Sequence, residues 1–224
     1  SMDNPGYCHI TAVAKDKNKK MLYHKIKGRK RPALAYSGAI VAPLDIRQGA
    51  PEPKDFDAFW NAEKQRLKSI PMNVKLKLSP DSKPYRKVYL VTVDIGPGFR
   101  PVQGVMHIPT GVKPKSLPIF LFVHGAGVHM PKKNKQWSPP LPRESGVKPP
   151  VIFMDLNAHG LPNDKPASFY LEKRKGELKN YPFINNGDKE KYYMKGMVLR
   201  LIRALEYLKT RPEWNGKDIV VSGG

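Results

Sequence analysis

A mixed α/β fold, in which a sheet begins antiparallel and turns parallel, is predicted by three features of this 224-residue sequence. Residues 85–108 read as an antiparallel hairpin. Continuous apolar runs follow at 117–123, 151–156 and 218–221, the pattern of strands covered on both faces. Between the last two lies an amphipathic segment long enough to be the crossover helix that parallel strands require.

Bulk composition narrows the class. Forty per cent hydrophobic residues supply a real core and exclude wholesale disorder. No apolar stretch approaches the ~18 residues of a membrane-spanning helix. Ser1–Pro5 has neither the basic start nor the apolar core of a secretory signal, which leaves open one removed beforehand. The single cysteine, Cys8, excludes an internal disulfide and reads as a buried thiol. Forty Lys and Arg against 19 Asp and Glu give a net charge of +21, which raises nucleic acid or an anionic polymer as a partner. The basic residues are scattered through loops (15–20, 25–31, 132–135, 173–179, 189–195) without interleaved aromatics. A solvated basic surface is expected, and no specific nucleic-acid recognition.

Residues 1–45 read as three short strands, 9–14, 20–26 and 34–41, with turns at 16–18 and 28–32. Three strands are too few for a closed sandwich of about seven, so this segment is expected to be a partial, immunoglobulin-like β-sandwich. The proline-rich stretch from Ala42 to Pro53 marks the boundary, and residues 46–224 form the second domain. Its first helix is predicted over 54–69, with Phe56, Phe59, Trp60, Leu67 and Ile70 on one packing face. Val74, Leu76 and Leu78 alternate with lysines as a half-buried strand. The long helix is expected to start near Asp188 and to bury Met194, Met197, Val198, Leu201, Ile202, Leu205 and Leu208. Pro212 ends it, since the residue before proline disfavours helix.

Open parallel sheets place their chemistry beyond the carboxyl ends of strands. After residue 123 comes His124-Gly125-Ala126-Gly127. Two glycines around a small residue make either a plain tight turn or a loop whose backbone N–H approaches a ligand. After 151–156 comes Asn157-Ala158-His159-Gly160. His159 either lines a pocket or hydrogen-bonds within its own loop. After 218–221 comes Ser222-Gly223-Gly224, a strand running into a glycine pair, as in the approach to a nucleophile elbow G-x-S-x-G. Gly223 would be the first glycine and Gly224 the second position, with the serine next. Ser222 does not qualify, because Val220 precedes it by two. This strand is expected in the interior of the sheet.

The segments from Tyr192 to Leu208 and from Arg211 to Gly224 resemble the acetyl xylan esterase and cephalosporin C deacetylase family, carbohydrate esterase family seven. So do Pro53-Lys54-Asp55-Phe56-Asp57-Ala58-Phe59-Trp60 and the stretch from Gly104 to Pro109 that leads to His124-Gly125. The resemblance covers residues 40–224 and implies an α/β-hydrolase fold: a mostly parallel sheet with an antiparallel N-terminal hairpin and helices on both faces. It implies a serine esterase that frees acetyl groups from acetylated xylo-oligosaccharides, needs no metal or other cofactor, and assembles as a homo-oligomer when full length. A secreted or periplasmic bacterial setting follows from the same likeness. The family assigns one oxyanion N–H to the residue after His-Gly, here Ala126, where many members have tyrosine. His124, Gly125, Gly127 and His159 would then adjoin the substrate. The nucleophile, the second oxyanion N–H and the triad aspartate and histidine would lie beyond Gly224, and the chain alone is expected to be inactive. Two rival readings stand beside this one. The first is a peptidase of the prolyl-oligopeptidase type. The second is a non-catalytic carbohydrate- or polyanion-binding protein, with Trp137 in the loop 131–149 stacking on sugar.

Overall fold

The computed structural model describes residues 4–128 and 150–223. Trp137 and its loop, and Gly224, lie outside the described residues. The chain divides into two compact units, Ser1–Phe56 and Asp57–Gly224.

In the first unit, β1 (Gly6–Val13) pairs antiparallel with β4 (Leu34–Val41), and β2 (Tyr23–Ile26) with β3 (Arg29–Pro32). Arg29–Pro32 was expected to be a turn and is a strand. The turn is Lys27-Gly28 alone, with φ of 48° and 77°. Two left-handed residues match the twist of a two-residue hairpin, which releases the next four to the ladder. Cys8, on the two-stranded ribbon of β1 and β4, is half-buried, not buried.

The second unit holds one six-stranded sheet, ordered β10-β8-β9-β7-β6-β5. Its strands are β5 (Lys75–Leu78), β6 (Arg86–Val93), β7 (Val102–Pro109), β8 (Leu117–Val123), β9 (Ile152–Asn157) and β10 (Trp214–Gly223). From β5 to β9 neighbours run antiparallel, whereas β9, β8 and β10 are mutually parallel. The sheet therefore turns parallel as the sequence predicts. Among the described residues its closing strand stands at the margin of the sheet. Among the described residues β10 pairs only with β8, and Val220 and Val221 are 44% and 49% exposed. An apolar run records that a strand suits burial; it does not name the neighbour that covers it.

Period-two alternation sends Ile119, Leu121, Ile152, Met154 and Leu156 to one face, where Leu67, Leu199, Tyr207 and Leu208 pack on them. Those four belong to α1 (Phe56–Ser69) and α3 (Tyr193–Lys209). Phe120 and Phe153 point to the opposite face. A short helix, α2 (Ala167–Lys175), was not anticipated. Helix α3 starts five residues later than expected. Asp188 instead closes a separate turn, its carboxylate accepting the amides of Glu190 (2.9 Å) and Lys191 (3.3 Å).

The buried face of α3 also differs from the predicted apolar stripe. Lys195, Gly196, Leu199, Arg200, Arg203, Ala204, Tyr207 and Leu208 go inside, while Val198 is exposed and Met194, Met197, Leu201 and Leu205 are half-buried. Hydrogen bonding explains the inversion. The Arg203 guanidinium donates to the carbonyls of Leu67 and Ile70 at the C-terminal end of α1, and pairs with Glu206 at 3.2 Å. Lys195 lies between Glu63 (3.1 Å) and Glu190 (2.7 Å) with its ammonium over the rings of Phe59 and Phe99. Burial pushes the Glu63 carboxyl up, but hydrogen bonds from Lys195 and Arg66 outweigh it and hold that carboxyl below its ordinary value. A buried cation is tolerated where such partners replace its water.

Candidate active site

Three parallel strands end together on one edge of the sheet. Val123 pairs with Gly223 on one side and with Leu156 on the other, so the carboxyl ends of β8, β9 and β10 lie side by side. Gly223 cannot be larger. A Cβ there would lie 2.6 Å from the carbonyl oxygen of Val123, below any real contact. The close approach of β10 to β8 at their tips depends on this glycine.

Every described residue proposed from the sequence lies at this edge. The His124 ring holds the carbonyl of Gly125 through Nδ1 at 2.9 Å. A carbonyl only accepts, so Nδ1 carries the proton. The carbonyl of Gly125 and the N–H of Ala126 share one trans peptide plane and point opposite ways, so fixing the first aims the second. The amide of Gly127, at φ 119°, donates to the Tyr181 hydroxyl at 3.3 Å.

His159 is 1% exposed and does not line an open pocket. Its Nε2 meets the carbonyl of Gly127 at 3.2 Å and its Nδ1 meets the Tyr193 hydroxyl at 2.8 Å. Burial pulls its pKa down to about 4; the bond to Gly127 opposes this, and the nearby charges of His124, Arg200 and Arg100 add to it. His159 is thus neutral at pH 7, with Nε2–H donating to Gly127 and Nδ1 accepting from Tyr193. Burial pushes the Tyr193 hydroxyl up, which keeps it a donor.

The loop carrying His159 is braced in turn. Asn157, fully buried, accepts the His159 amide at 3.1 Å and reaches Asn163 at 3.4 Å. Gly160 sits at φ 65°, and a Cβ there would meet Pro101 O at 2.6 Å and Arg100 Cβ at 2.8 Å. Arg200 donates from Nε to Ala158 O at 2.7 Å and from Nη1 to Arg100 O at 3.2 Å. Burial draws its pKa down to about 10, so it stays charged. Arg100 links Glu177 (2.9 Å) to the Tyr193 hydroxyl (3.5 Å). Arg100, Tyr181, Tyr193 and Arg200 were missed at the sequence level as site residues. Tyr193 and Arg200 stand on a helix whose pattern advertises only core, and their partners are backbone groups or residues distant in the chain.

A mixed sheet with a glycine-flanked backbone donor beyond one parallel strand, and a glycine-tipped strand beside it, defines an α/β-hydrolase-type fold. The structure is similar to an acetyl xylan esterase from Paenibacillus sp. R4, with a TM-score of 0.57 and 22% identity, covering 80% of this chain and 54% of that one. It is also similar to acetyl xylan esterase 1 from Thermoanaerobacterium sp. JW/SL YS485, with a TM-score of 0.54, 14% identity and coverage of 77% and 51%. In sequence, residues 44–224 match the acetyl xylan esterase family, and the chain belongs to that family. An acetyl esterase, Axe7A of Xylanibacter ruminicola, is 27% identical over 186 residues, 82% of this chain and 40% of that protein. The chain spans 40% of that curated relative and about half of the two solved structures.

Proposed function

We propose that this chain is the amino-terminal part of a serine carboxylesterase that removes acetyl groups from acetylated xylo-oligosaccharides or similar sugars. The observation that carries the reading is the parallel register of Gly223 with Val123. It sets the end of β10 beside the 124–127 loop, as a nucleophile and an oxyanion donor must be set. In this reading the residue after Gly224 is the serine, and it attacks the acetyl carbonyl while a histidine from later in the chain takes its proton. The Ala126 N–H and a second N–H beyond the nucleophile hold the oxyanion; the histidine returns its proton to the sugar oxygen as it leaves, and water then hydrolyses the acetyl-serine to acetate and free serine. Further strands of the parent pair with the open edge of β10 and cover Val220 and Val221. The parent is exported, and it is a homo-oligomer.

The test is direct. The parent gene is read past Gly224, and its full-length product is assayed for acetate release from acetylated xylo-oligosaccharides. A serine directly after Gly224, together with sugar deacetylation, is expected. The 224-residue chain alone should not hydrolyse 4-nitrophenyl acetate above a heat-denatured control, since removing a triad nucleophile costs ~10⁶ in kcat. Cleavage of proline-linked peptides in place of acetyl sugars would select the peptidase reading. Xylan binding by a parent with no serine reactive toward active-site labels would select the binding-protein reading.

A further inference from the structure

The 124–127 loop is held at three successive peptides, and only one of the three holders comes from the loop itself. His124 fixes the Gly125 carbonyl, Tyr181 accepts the Gly127 amide, and His159 donates to the Gly127 carbonyl. Tyr181 and His159 also brace each other, their rings edge to face with centroids 4.6 Å apart. A glycine flanked by another glycine one residue away has wide φ/ψ freedom, so without these holders the peptide between them could rotate.

We propose that His159 is a positioning residue: its Nε2–H, set by the Tyr193 hydroxyl at Nδ1, clamps the Gly127 carbonyl and so fixes the loop that presents the Ala126 N–H to an acyl oxyanion. This rests on the esterase reading above. His159 does not touch substrate, because its ring is buried and both nitrogens are spent on Gly127 and Tyr193. The tautomer is what matters. A hydroxyl that donates to Nδ1 forces the proton onto Nε2, the only nitrogen facing a carbonyl. Arg100, at the Tyr193 oxygen, strengthens that hydroxyl as a donor. The Arg100 and Arg200 guanidinium groups near the ring oppose a second proton on it.

The experiment has two arms. In the full-length parent, His159→Leu removes the donor at similar volume, and His159→Gln restores an N–H at the Nε2 position. His159→Leu should lower kcat by ~10²-fold, the scale of a lost oxyanion donor, with KM changed less than threefold. His159→Gln should recover most of that loss. In the 224-residue chain, ¹⁵N NMR of the imidazole should show a protonated Nε2 and a bare Nδ1 at pH 7. Tyr193→Phe should shift that balance and move the Gly127 amide resonance, which keeps the test alive if His159→Leu fails to fold. An active parent that is indifferent to His159→Leu overturns the proposal, as does an Nδ1–H tautomer or a Tyr193→Phe chain with unchanged resonances. A parent that deacetylates nothing while the chain shows the Nε2–H tautomer counts against the esterase reading and leaves the clamp standing.

Discussion

Acidification should destabilise the second unit well before its carboxylates titrate, and two histidines set the size of the effect. His159 and His107 are 1% and 6% exposed, and the pKa of each is drawn to about 4. For His107 the cause is burial first and the Arg86 charge second, with Asp81 opposing. The ordinary value of 6.5 applies once the chain unfolds. Between pH 6.5 and 4 the unfolded chain therefore binds protons that the native one does not, and stability falls as pH falls. At ~1.4 kcal/mol per pH unit, the step from pH 6.5 to 5 removes about 2 kcal/mol per histidine and about 4 kcal/mol for both. Glu63, held below its ordinary 4.5, loses its contribution only at lower pH, so pH 5 isolates the histidines. With a urea slope of ~2 kcal/mol/M, the denaturation midpoint should fall by about 2 M between pH 7 and pH 5. Each of His107→Gln and His159→Gln should remove about half of that shift. A midpoint that moves less than ~0.3 M in the unsubstituted chain, or an unchanged shift in both variants, would refute the reasoning.

Three further outcomes follow from particular contacts. Gly160→Ala places a side chain at φ 65° and 2.6 Å from the Pro101 carbonyl oxygen; left-handed strain of ~1–2 kcal/mol plus overpacking of ~1–3 predicts a loss of about 2–5 kcal/mol in chemical denaturation. Lys195→Met strips the ammonium from Glu63, which keeps its pair with Arg66 at 3.0 Å, and should cost about 1–3 kcal/mol, most of it returned in the Lys195→Met/Glu63→Gln double variant. The chain should self-associate through the open β10 edge, and Val221→Lys, at a site 49% exposed, should lower light scattering at equal concentration; unchanged scattering would show that the edge is not the contact.

The sheet was legible because its signals are local. Runs of Leu, Ile, Phe and Val at 117–123 and 151–156 needed only burial on two faces to become β8 and β9. The short connection at 94–101 left the preceding pair no choice but to be antiparallel. Thr210-Arg211-Pro212 stopped α3 where proline geometry says it must. The Lys27-Gly28 turn was missed because a basic run masked the glycine that sets the hairpin. Of the candidate site, His124, Gly125, Gly127, His159 and Gly223 were singled out by their place at or just after the end of a strand, and Ala126 by family resemblance; the structure sets them at the shared tips of β8, β9 and β10.

What escaped the sequence is the support of those residues, and the reason is chemical. Arg200 and Arg203 break the apolar stripe of α3, so a periodicity argument sends them to solvent. They go inside because their targets are carbonyls of Ala158, Arg100, Leu67 and Ile70, and a carbonyl leaves no trace in residue type. Tyr193, in the first turn of the same helix, joins the His159 ring for the same kind of reason. Helix α3 therefore does two things at once: Leu199, Tyr207 and Leu208 seal the sheet, while Tyr193 and Arg200 hold the loop beyond β9, which in turn holds the loop beyond β8. The alignment of the donor loop is thus tied to the docking of α3, and a substitution that loosens the helix should disturb the 124–127 loop without touching it.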